Sequence, residues 1–206
     1  MYVPKHFEQN DPALLVEVMR RHNFATLVSN LDGVPFATHL PVVVREADGV
    51  ITIAGHVARA NPHWRALLEA PDALVIFQGP HTYISPTLYA KADRVPTWNY
   101  IAVHASGKAI IDDTADGKLA LLIESIAHHE PAYRAQFDNL DSGLRTVLMN
   151  AIVGFTMRAE HLQGKFKLGQ HRLAEDRPEM QAWHATGGEN ERAIAGWMAR
   201  LGYWPR

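Results

Sequence analysis

Residues 50–70 read VITIAGHVARANPHWRALLEA, and their pattern predicts a strand, a turn and a helix in succession. Alternating apolar side chains, among them two isoleucines, predict a strand over Val50–Ala54. An apolar stripe at helical spacing predicts a helix over Asn61–Ala70. The stripe consists of Trp64, Leu67 and Leu68. Arg59 therefore lies at the turn that leads from the strand into the helix.

The turn around Arg59 is the kind of junction at which proteins bind phosphate. The first backbone N–H groups of a helix lack intrahelical partners and carry the positive end of the helix dipole. The guanidinium of Arg59 and the imidazole of His56 would add hydrogen-bond donors. In the alternative interpretation, Asn61 is only an N-cap, Pro62 is the first helical residue, and Arg59 is solvated. The stretch by itself leaves both interpretations open.

The composition is that of an ordinary globular protein, and it excludes several kinds of site. The chain has 206 residues, of which 47% are hydrophobic, so it can bury a substantial core. Because cysteine is absent, disulfides, thiolate nucleophiles and cysteine-ligated metals are excluded. A net charge of -2 provides no basic field, so DNA is a partner that the charge does not support. No apolar leader or membrane-length run is present, and we expect a cytoplasmic protein without membrane contact.

Strands and helices are also predicted on both sides of the opening stretch. Further strands are predicted at Phe24–Asn30, Val34–Val44, Ala73–Phe77, Trp98–Ile111 and Ile152–Ala159. Helices are predicted after Asp11 and Pro12, and at Thr114–His129, Leu140–Asn150, Pro178–His184 and Glu189–Leu201. A hairpin turn is expected at Leu31-Asp32-Gly33, and the longest strand is expected to bend at Gly107. The pattern predicts an α+β fold, in which a small antiparallel barrel carries peripheral helices.

No common catalytic or nucleotide-binding motif is present. The chain lacks H-E-x-x-H, G-x-S-x-G and the glycine-rich nucleotide loops, and the spacing of its histidines predicts no metal site. What remains is a set of aromatic and cationic side chains, namely Tyr83, Tyr89, Trp98, Tyr100, Lys165 and Lys167. A planar phosphorylated ligand would use such a set, with its ring on aromatic surface and its phosphate on Arg59. The alternative is that Trp98 and Tyr100 fill the core of a barrel strand.

Several motifs in a fixed order extend this picture over nearly the whole chain. They are Met1-Tyr2-Val3-Pro4 with Phe7, His56 to Trp64, Tyr83-Ile84-Ser85-Pro86 with Tyr89, Val95 to Tyr100 with Ala102-Val103-His104, and Gly164-Lys165-Phe166-Lys167-Leu168. In these motifs the chain resembles the PaiB-like family of FMN-binding negative transcriptional regulators, the protease synthase and sporulation type. The resemblance implies an FMN-binding split β-barrel, antiparallel and Greek-key-like, as a single domain over residues 1–206. Residues 172–206 would form a helical C-terminal extension, and a homodimer would hold FMN at its interface.

The resemblance also implies three groups of cofactor-binding residues. The phosphate would lie on His56, Arg59, Ala60 and Asn61. The edge of the isoalloxazine ring would meet backbone groups of Thr38, His39 and Leu40. Further contacts would come from Ser85, Trp98, Asn99, Lys165, Lys167 and Gln170. Because neighbouring strand residues point to opposite faces, we expect Asn99 to make a polar contact and Trp98 to form a wall or an interface.

One segment departs from the family pattern. Where that pattern is Lys-Leu-Ser-Gln-Asn, this chain has Lys167-Leu168-Gly169-Gln170-His171. The change removes a hydroxyl and an amide, so hydrogen bonds made by this segment elsewhere in the family are in doubt here.

The resemblance leaves two classes of function open. The first is a regulator or sensor whose FMN is a ligand. The second is an FMN-dependent oxidoreductase, such as a flavin reductase or an enzyme similar to pyridoxamine-phosphate oxidase. The absence of an evident helix-turn-helix or basic stripe weakens direct DNA binding. No catalytic acid or base stands out, although His104 and Tyr83 are candidates. A third option is an FMN-binding protein with neither activity.

Overall fold

The computed structural model describes residues 1–90, 93–171 and 176–203. Its strands are β1 Glu8–Gln9, β2 Phe24–Leu31, β3 Val34–Ala47, β4 Val50–Ala58, β5 Asp72–Ile84, β6 Thr97–Asp112, β7 Ile152–Arg158 and β8 His161–Lys167. Its α-helices are α1 Pro12–Arg21, α2 His63–Glu69, α3 Ala115–His129, α4 Arg134–Asp138, α5 Ser142–Asn150, α6 Arg177–Thr186 and α7 Glu189–Arg200. None of the helices in these described ranges is both long and apolar enough to span a membrane.

The chain divides into two compact units. The first unit comprises Met1–Val18, Gln78–Val103 and Gln163–Arg206, and the second comprises Met19–Phe77 and His104–Leu162. Helix α1 and strands β5, β6 and β8 contribute residues to both units, because the division falls within each of them.

The second unit is built on an antiparallel barrel. Successive pairings connect β5, β2, β3, β4, β7 and β6, and β6 is also a neighbour of β5, so the six strands close into a ring. Strands β2, β3 and β4 follow one another as hairpins, and β5 returns to pair beside β2, which is a Greek key. Closure gives each of the six strands a neighbour on both sides over part of its length. The predicted α+β antiparallel barrel is confirmed.

Local chemistry accounts for the hairpins and the core of the barrel. Asp32 and Gly33 have φ values of 53° and 79°, which match the tight turn that joins two twisted strands. Alternate residues of the strands point inward, and the fully buried ones include Leu27, Ile53, Val75, Phe77, Phe155 and Met157. The strand predicted over Val50–Ala54 continues to Ala58, because it pairs there with β7. The helix predicted from Asn61 begins at His63.

The first unit combines strands with the C-terminal helices. Strand β1 pairs with β8, with Glu8 opposite Lys165, and β8 neighbours β6. The rings of Phe166 and Trp197 meet edge to face at 5.4 Å, which packs α7 against β8. The predicted helical extension over 172–206 contains α6 and α7, whereas residues 172–175 and 204–206 lie outside the described ranges.

Candidate functional site

Strands β3 and β4 separate at one end of their hairpin. Their pairing runs from Ala47 opposite Val50 to Val42 opposite Gly55 and ends there. Beyond this point β3 continues along β2, whereas the last residues of β4 pair with β7. Pro41 is the next residue of β3, and it has no N–H with which to continue the ladder. The barrel is therefore split between β3 and β4 in this region.

Among the strands of the described ranges, none pairs with the edge of β3 that faces the split. The N–H of Val42 donates to the carbonyl of Asn23, on the β2 side, at 2.9 Å. Because successive peptide groups of a strand point to opposite edges, the N–H and C=O of His39 point to the other, split side. Of the three residues predicted to offer backbone groups to a ring, His39 is the one so oriented, since Thr38 and Leu40 face β2.

The side chain of Thr38 belongs to a hydrogen-bonded cluster. Its Oγ1 accepts from Asn61 Nδ2 at 3.0 Å and lies 2.8 Å from Nδ1 of the buried His63. Asn61 Oδ1 in turn accepts from the N–H of His63, the first residue of α2, at 3.0 Å. On the opposite face of β3, the ring of His39 lies 3.0 Å from Thr26 Oγ1. Asn61 therefore accepts from the first helical N–H and also orients Thr38, but the N-cap is Pro62 and not Asn61, so that part of the alternative interpretation is wrong.

Arg59 is bound by protein groups, although its side chain stays 36% exposed. Its guanidinium makes a two-pronged contact with the carboxylate of Asp113, at 2.7 and 2.5 Å. It also donates to the carbonyls of Asn150 and Ile152, each at 3.1 Å, so four of its five N–H groups are used. These contacts join the end of β4 to the start of α3 and the end of α5. One N–H remains for a ligand.

Asp113 binds a second cation from α3. The ammonium of Lys118, which is buried, donates to Asp113 Oδ1 at 2.9 Å. Hydrogen bonds from Arg59, and then from Lys118, hold the pKa of Asp113 well below its usual range. The sequence prediction missed this carboxylate, because Asp113 is distant in the chain from the Arg59 turn. His56 lies half-buried on β4, where burial lowers the pKa of its imidazole, and Ala60 is exposed.

The remaining predicted residues lie in the first unit. Trp98 is 51% exposed and meets the ring of Tyr83 at 5.9 Å, whereas Asn99 is fully buried. The two residues thus face opposite sides of β6, as predicted. Neither amide atom of Asn99 has a hydrogen-bond partner among the residues that the structure describes, and a Cβ placed on Gly169 would lie 3.7 Å from Nδ2. An amide left unsatisfied in this way is the kind of group that a bound ligand or water satisfies.

Four side chains of the first unit are engaged with the protein itself. Lys165 Nζ donates to the carbonyl of Tyr2 at 3.1 Å, and Lys167 Nζ donates to Thr97 Oγ1 at 2.5 Å. Ser85 Oγ accepts from the N–H of Thr87 at 3.2 Å. Gln170 accepts from the N–H of Leu168 at 2.8 Å and donates to the carbonyls of Phe166 and His6 at 2.7 and 3.1 Å. Gln170 therefore closes the turn after β8.

The departure from the family pattern at Gly169 has a backbone reason. Gly169 has a φ of 76°, in the left-handed region that glycine adopts without strain. A side chain there would be strained whatever the space around it, so glycine suits this turn. The ring of His171 meets Phe7 at 5.1 Å. At these two positions the chain thus has a left-handed turn and an aromatic contact.

Comparison with solved structures agrees with the barrel. The flavocytochrome Anf3 of Azotobacter vinelandii is similar with a TM-score of 0.64 at 17% identity, over 80% of this chain and 72% of that one. The FAD and heme binding protein of Mycobacterium smegmatis is similar with a TM-score of 0.58 at 20% identity, over 78% and 73%. At these identities the likeness shows the fold alone, an antiparallel split β-barrel.

Comparison of sequences assigns the family. The chain is 37% identical over 179 residues to the protease synthase and sporulation protein PAI 2 of Bacillus subtilis, which covers 85% of each chain. Residues 1–161 match the model of the family described as "Putative FMN-binding domain". The chain belongs to this family of FMN-binding proteins, and its cofactor is FMN.

Proposed function

We propose that FMN binds at the split between β3 and β4. The observation that carries the proposal is the unpaired β3 edge, where the N–H and C=O of His39 adjoin the hydroxyl of Thr38. A donor and an acceptor side by side suit the pyrimidine edge of a flavin, which presents both kinds of group. Thr38, His39 and Leu40 would thus border the ring, while His56, Arg59, Ala60 and Asn61 would surround the phosphate. When bound, FMN supplies one- and two-electron redox chemistry.

The first-unit residues Ser85, Trp98, Asn99, Lys165, Lys167 and Gln170 remain proposed FMN contacts. The unsatisfied amide of Asn99 supports a polar contact there. Trp98 and Tyr83, which are 51% and 45% exposed, support a different role as part of a homodimer interface, because such interfaces are rich in aromatic residues.

We further propose that the protein is a PaiB-like negative transcriptional regulator that works as a cytoplasmic homodimer. Its support is the similarity to PAI 2 over most of both chains. The net charge of -2 favours an action on transcription through a partner protein over direct attraction to DNA. The alternative function is an FMN-dependent oxidoreductase, in which the same site would present the flavin to a substrate.

The proposed ring site predicts a loss of affinity in Thr38→Val. Valine keeps the shape of threonine but removes the hydroxyl, so FMN should bind about tenfold more weakly. Fluorescence titration of the flavin-free protein with FMN measures the change. Thr26→Val is the matched control, because Thr26 carries the same hydroxyl on β2 and contacts the ring of His39, whose side chain lies on the face of β3 opposite Thr38. Equal affinities for the two variants would contradict a ring site at Thr38.

The proposed phosphate site predicts that Arg59→Ala releases FMN. Loss of a charged donor to phosphate should weaken binding about tenfold or more, and the purified protein should lose its yellow colour. Lys118→Met is the control, because it removes the other cation bound to Asp113 but leaves Arg59 in place. If Lys118→Met weakens FMN binding as much as Arg59→Ala does, the Asp113 cluster shapes the site and Arg59 is not the phosphate ligand.

One experiment separates the regulator from the oxidoreductase. The FMN-loaded protein is mixed with NADH or NADPH while its visible absorption is followed, and the same protein is tested for a gel shift of promoter DNA at low and moderate salt. A regulator should keep its flavin colour and give a shift, directly or after addition of a partner protein. Rapid bleaching without a shift would support the oxidoreductase instead.

A further inference from the structure

The imidazole of His63 ends a chain of side-chain hydrogen bonds in the second unit. It is 0% exposed, and its Nδ1 lies 2.8 Å from Thr38 Oγ1. Asn61 Nδ2 donates to the same oxygen at 3.0 Å. Because Asn61 Oδ1 accepts from the N–H of His63, the orientation of the Asn61 amide is determined. Thr38 Oγ1 therefore uses one lone pair for Asn61.

The other ring nitrogen of His63 indicates which tautomer is present. Nε2 is buried and has no hydrogen-bond partner within the described part of the chain. Burial lowers the pKa of His63, so the ring is neutral at pH 7 and carries a single N–H. A proton on Nε2 would be a buried donor without an acceptor, and such donors are rarer than unpaired acceptors. We therefore assign the proton to Nδ1, from which it is donated to Thr38.

This arrangement leaves the hydroxyl of Thr38 able only to donate its proton. A hydroxyl oxygen has two lone pairs and one proton. Asn61 Nδ2 and His63 Nδ1 donate to both lone pairs, so the proton of Thr38 can only be donated away from the cluster. A ligand at the split then meets a hydrogen-bond donor at Thr38, and not a group that can switch between donor and acceptor.

We propose that His63 is a positioning residue that makes Thr38 an obligate hydrogen-bond donor to an acceptor atom of the flavin ring. The proposal rests on the proposed FMN site at the β3 edge. It adds that Thr38 donates a hydrogen bond there and does not accept one. A hydroxyl that only donates favours ligands that present a carbonyl oxygen or an unprotonated ring nitrogen to Thr38. It disfavours ligands that present an N–H. His63 itself acts through Thr38 and needs no contact with FMN.

Two amide substitutions at His63 test the proposal. In His63→Asn the amide nitrogen can occupy the place of Nδ1 and donate to Thr38, so FMN affinity should stay within about threefold of the wild type. In His63→Gln the longer side chain brings its amide to the place of Nε2, so Thr38 loses its second donor and affinity should fall about tenfold. Equal FMN dissociation constants for the two variants would overturn the proposal.

A double-mutant cycle separates positioning from a merely structural role. If His63 acts only through the Thr38 hydroxyl, His63→Gln should have no further effect on FMN affinity in a Thr38→Val background. A structural role would instead give a double variant weakened by the product of both factors, about a hundredfold, and would overturn the proposal.

The same cycle distinguishes failure of this inference from failure of the site. Should Thr38→Val alone bind FMN as well as the wild type, the proposed site at the β3 edge is wrong, and the role of His63 falls with it. Should Thr38→Val weaken binding while His63→Gln does not, the site stands and only the positioning role is wrong. Unfolding midpoints of the flavin-free variants show whether each dissociation constant refers to folded protein.

Discussion

Gly107→Ala is expected to destabilise the barrel by about 3 kcal/mol or more, or to prevent folding. Gly107 is a buried residue of β6, and a Cβ placed on it would lie 2.1 Å from the carbonyl oxygen of Arg158. Beside Gly107, the N–H of Glu160 donates to the carbonyl of Ser106 at 2.9 Å, and this hydrogen bond joins β6 to the chain after β7. Because the clash is with backbone and not with a flexible side chain, only a shift of the strand can relieve it. Urea unfolding followed by circular dichroism measures the loss.

Gly196→Ala is the matched control for that substitution. Gly196 lies within α7, and no atom of residues 1–90, 93–171 or 176–203 stands within 4 Å of a Cβ added there. Alanine favours the helix, so this variant should be stabilised by up to about 1 kcal/mol. A Gly107→Ala protein that unfolds at the same urea concentration as the wild type would show that β6 and the chain after β7 can move apart at little cost.

Acidification is expected to remove about 3 kcal/mol of stability through His184 on α6. The imidazole is 0% exposed, and burial lowers its pKa to about 4 from 6.5, although nearby Glu191 acts in the opposite direction. The folded protein therefore binds this proton more weakly than the unfolded chain does. The stabilisation is fully present above pH 6.5, falls as the pH drops from 6.5 to about 4, and changes no further below that.

A variant isolates this contribution from those of other groups. Burial also lowers the pKa of His56, His63 and His104 in the second unit, so the wild-type profile contains their titration as well. His184→Leu should lose much less stability than the wild type when urea unfolding at pH 7.5 is compared with unfolding at pH 5. Parallel losses in both proteins would mean that His184 is protonated in the folded state.

Glu191 on α7 makes a second pH-dependent contribution to stability, which is lost at a more acidic pH than that of His184. Its carboxylate accepts from Thr82 Oγ1 at 2.6 Å, and this hydrogen bond lowers the pKa of Glu191 below its usual 4.5. The stabilisation it provides is present above pH 4.5 and is lost as the pH falls through the lowered pKa. The His184→Leu comparison at pH 7.5 and 5 lies above this range, so Glu191 does not contribute to it.

Local patterns were enough to predict most of the barrel. The turn at Asp32 and Gly33, the helix after Pro12 and the alternation along β2, β3 and β6 depend on residues a few positions apart, which periodicity and turn chemistry detect. The family motifs likewise predicted FMN as the cofactor. Strand β8 and the short α4 were missed, because neither carries a repeated apolar pattern. The end of β4 was set too early, since its last residues pair with β7, nearly a hundred positions further along.

The sequence by itself determined the kind of fold, the cofactor and the stretch of chain that surrounds the proposed phosphate site. Only the tertiary structure decided what the residues of that stretch do. Arg59 is bound to Asp113, 54 positions away, and Thr38 meets His63, 25 positions away. Such pairs depend on how strands and helices close around one another, and no spacing within a single strand or helix records them. The polarity of the proposed site follows from those contacts, because burial and hydrogen bonding determine which atoms are left to meet a ligand.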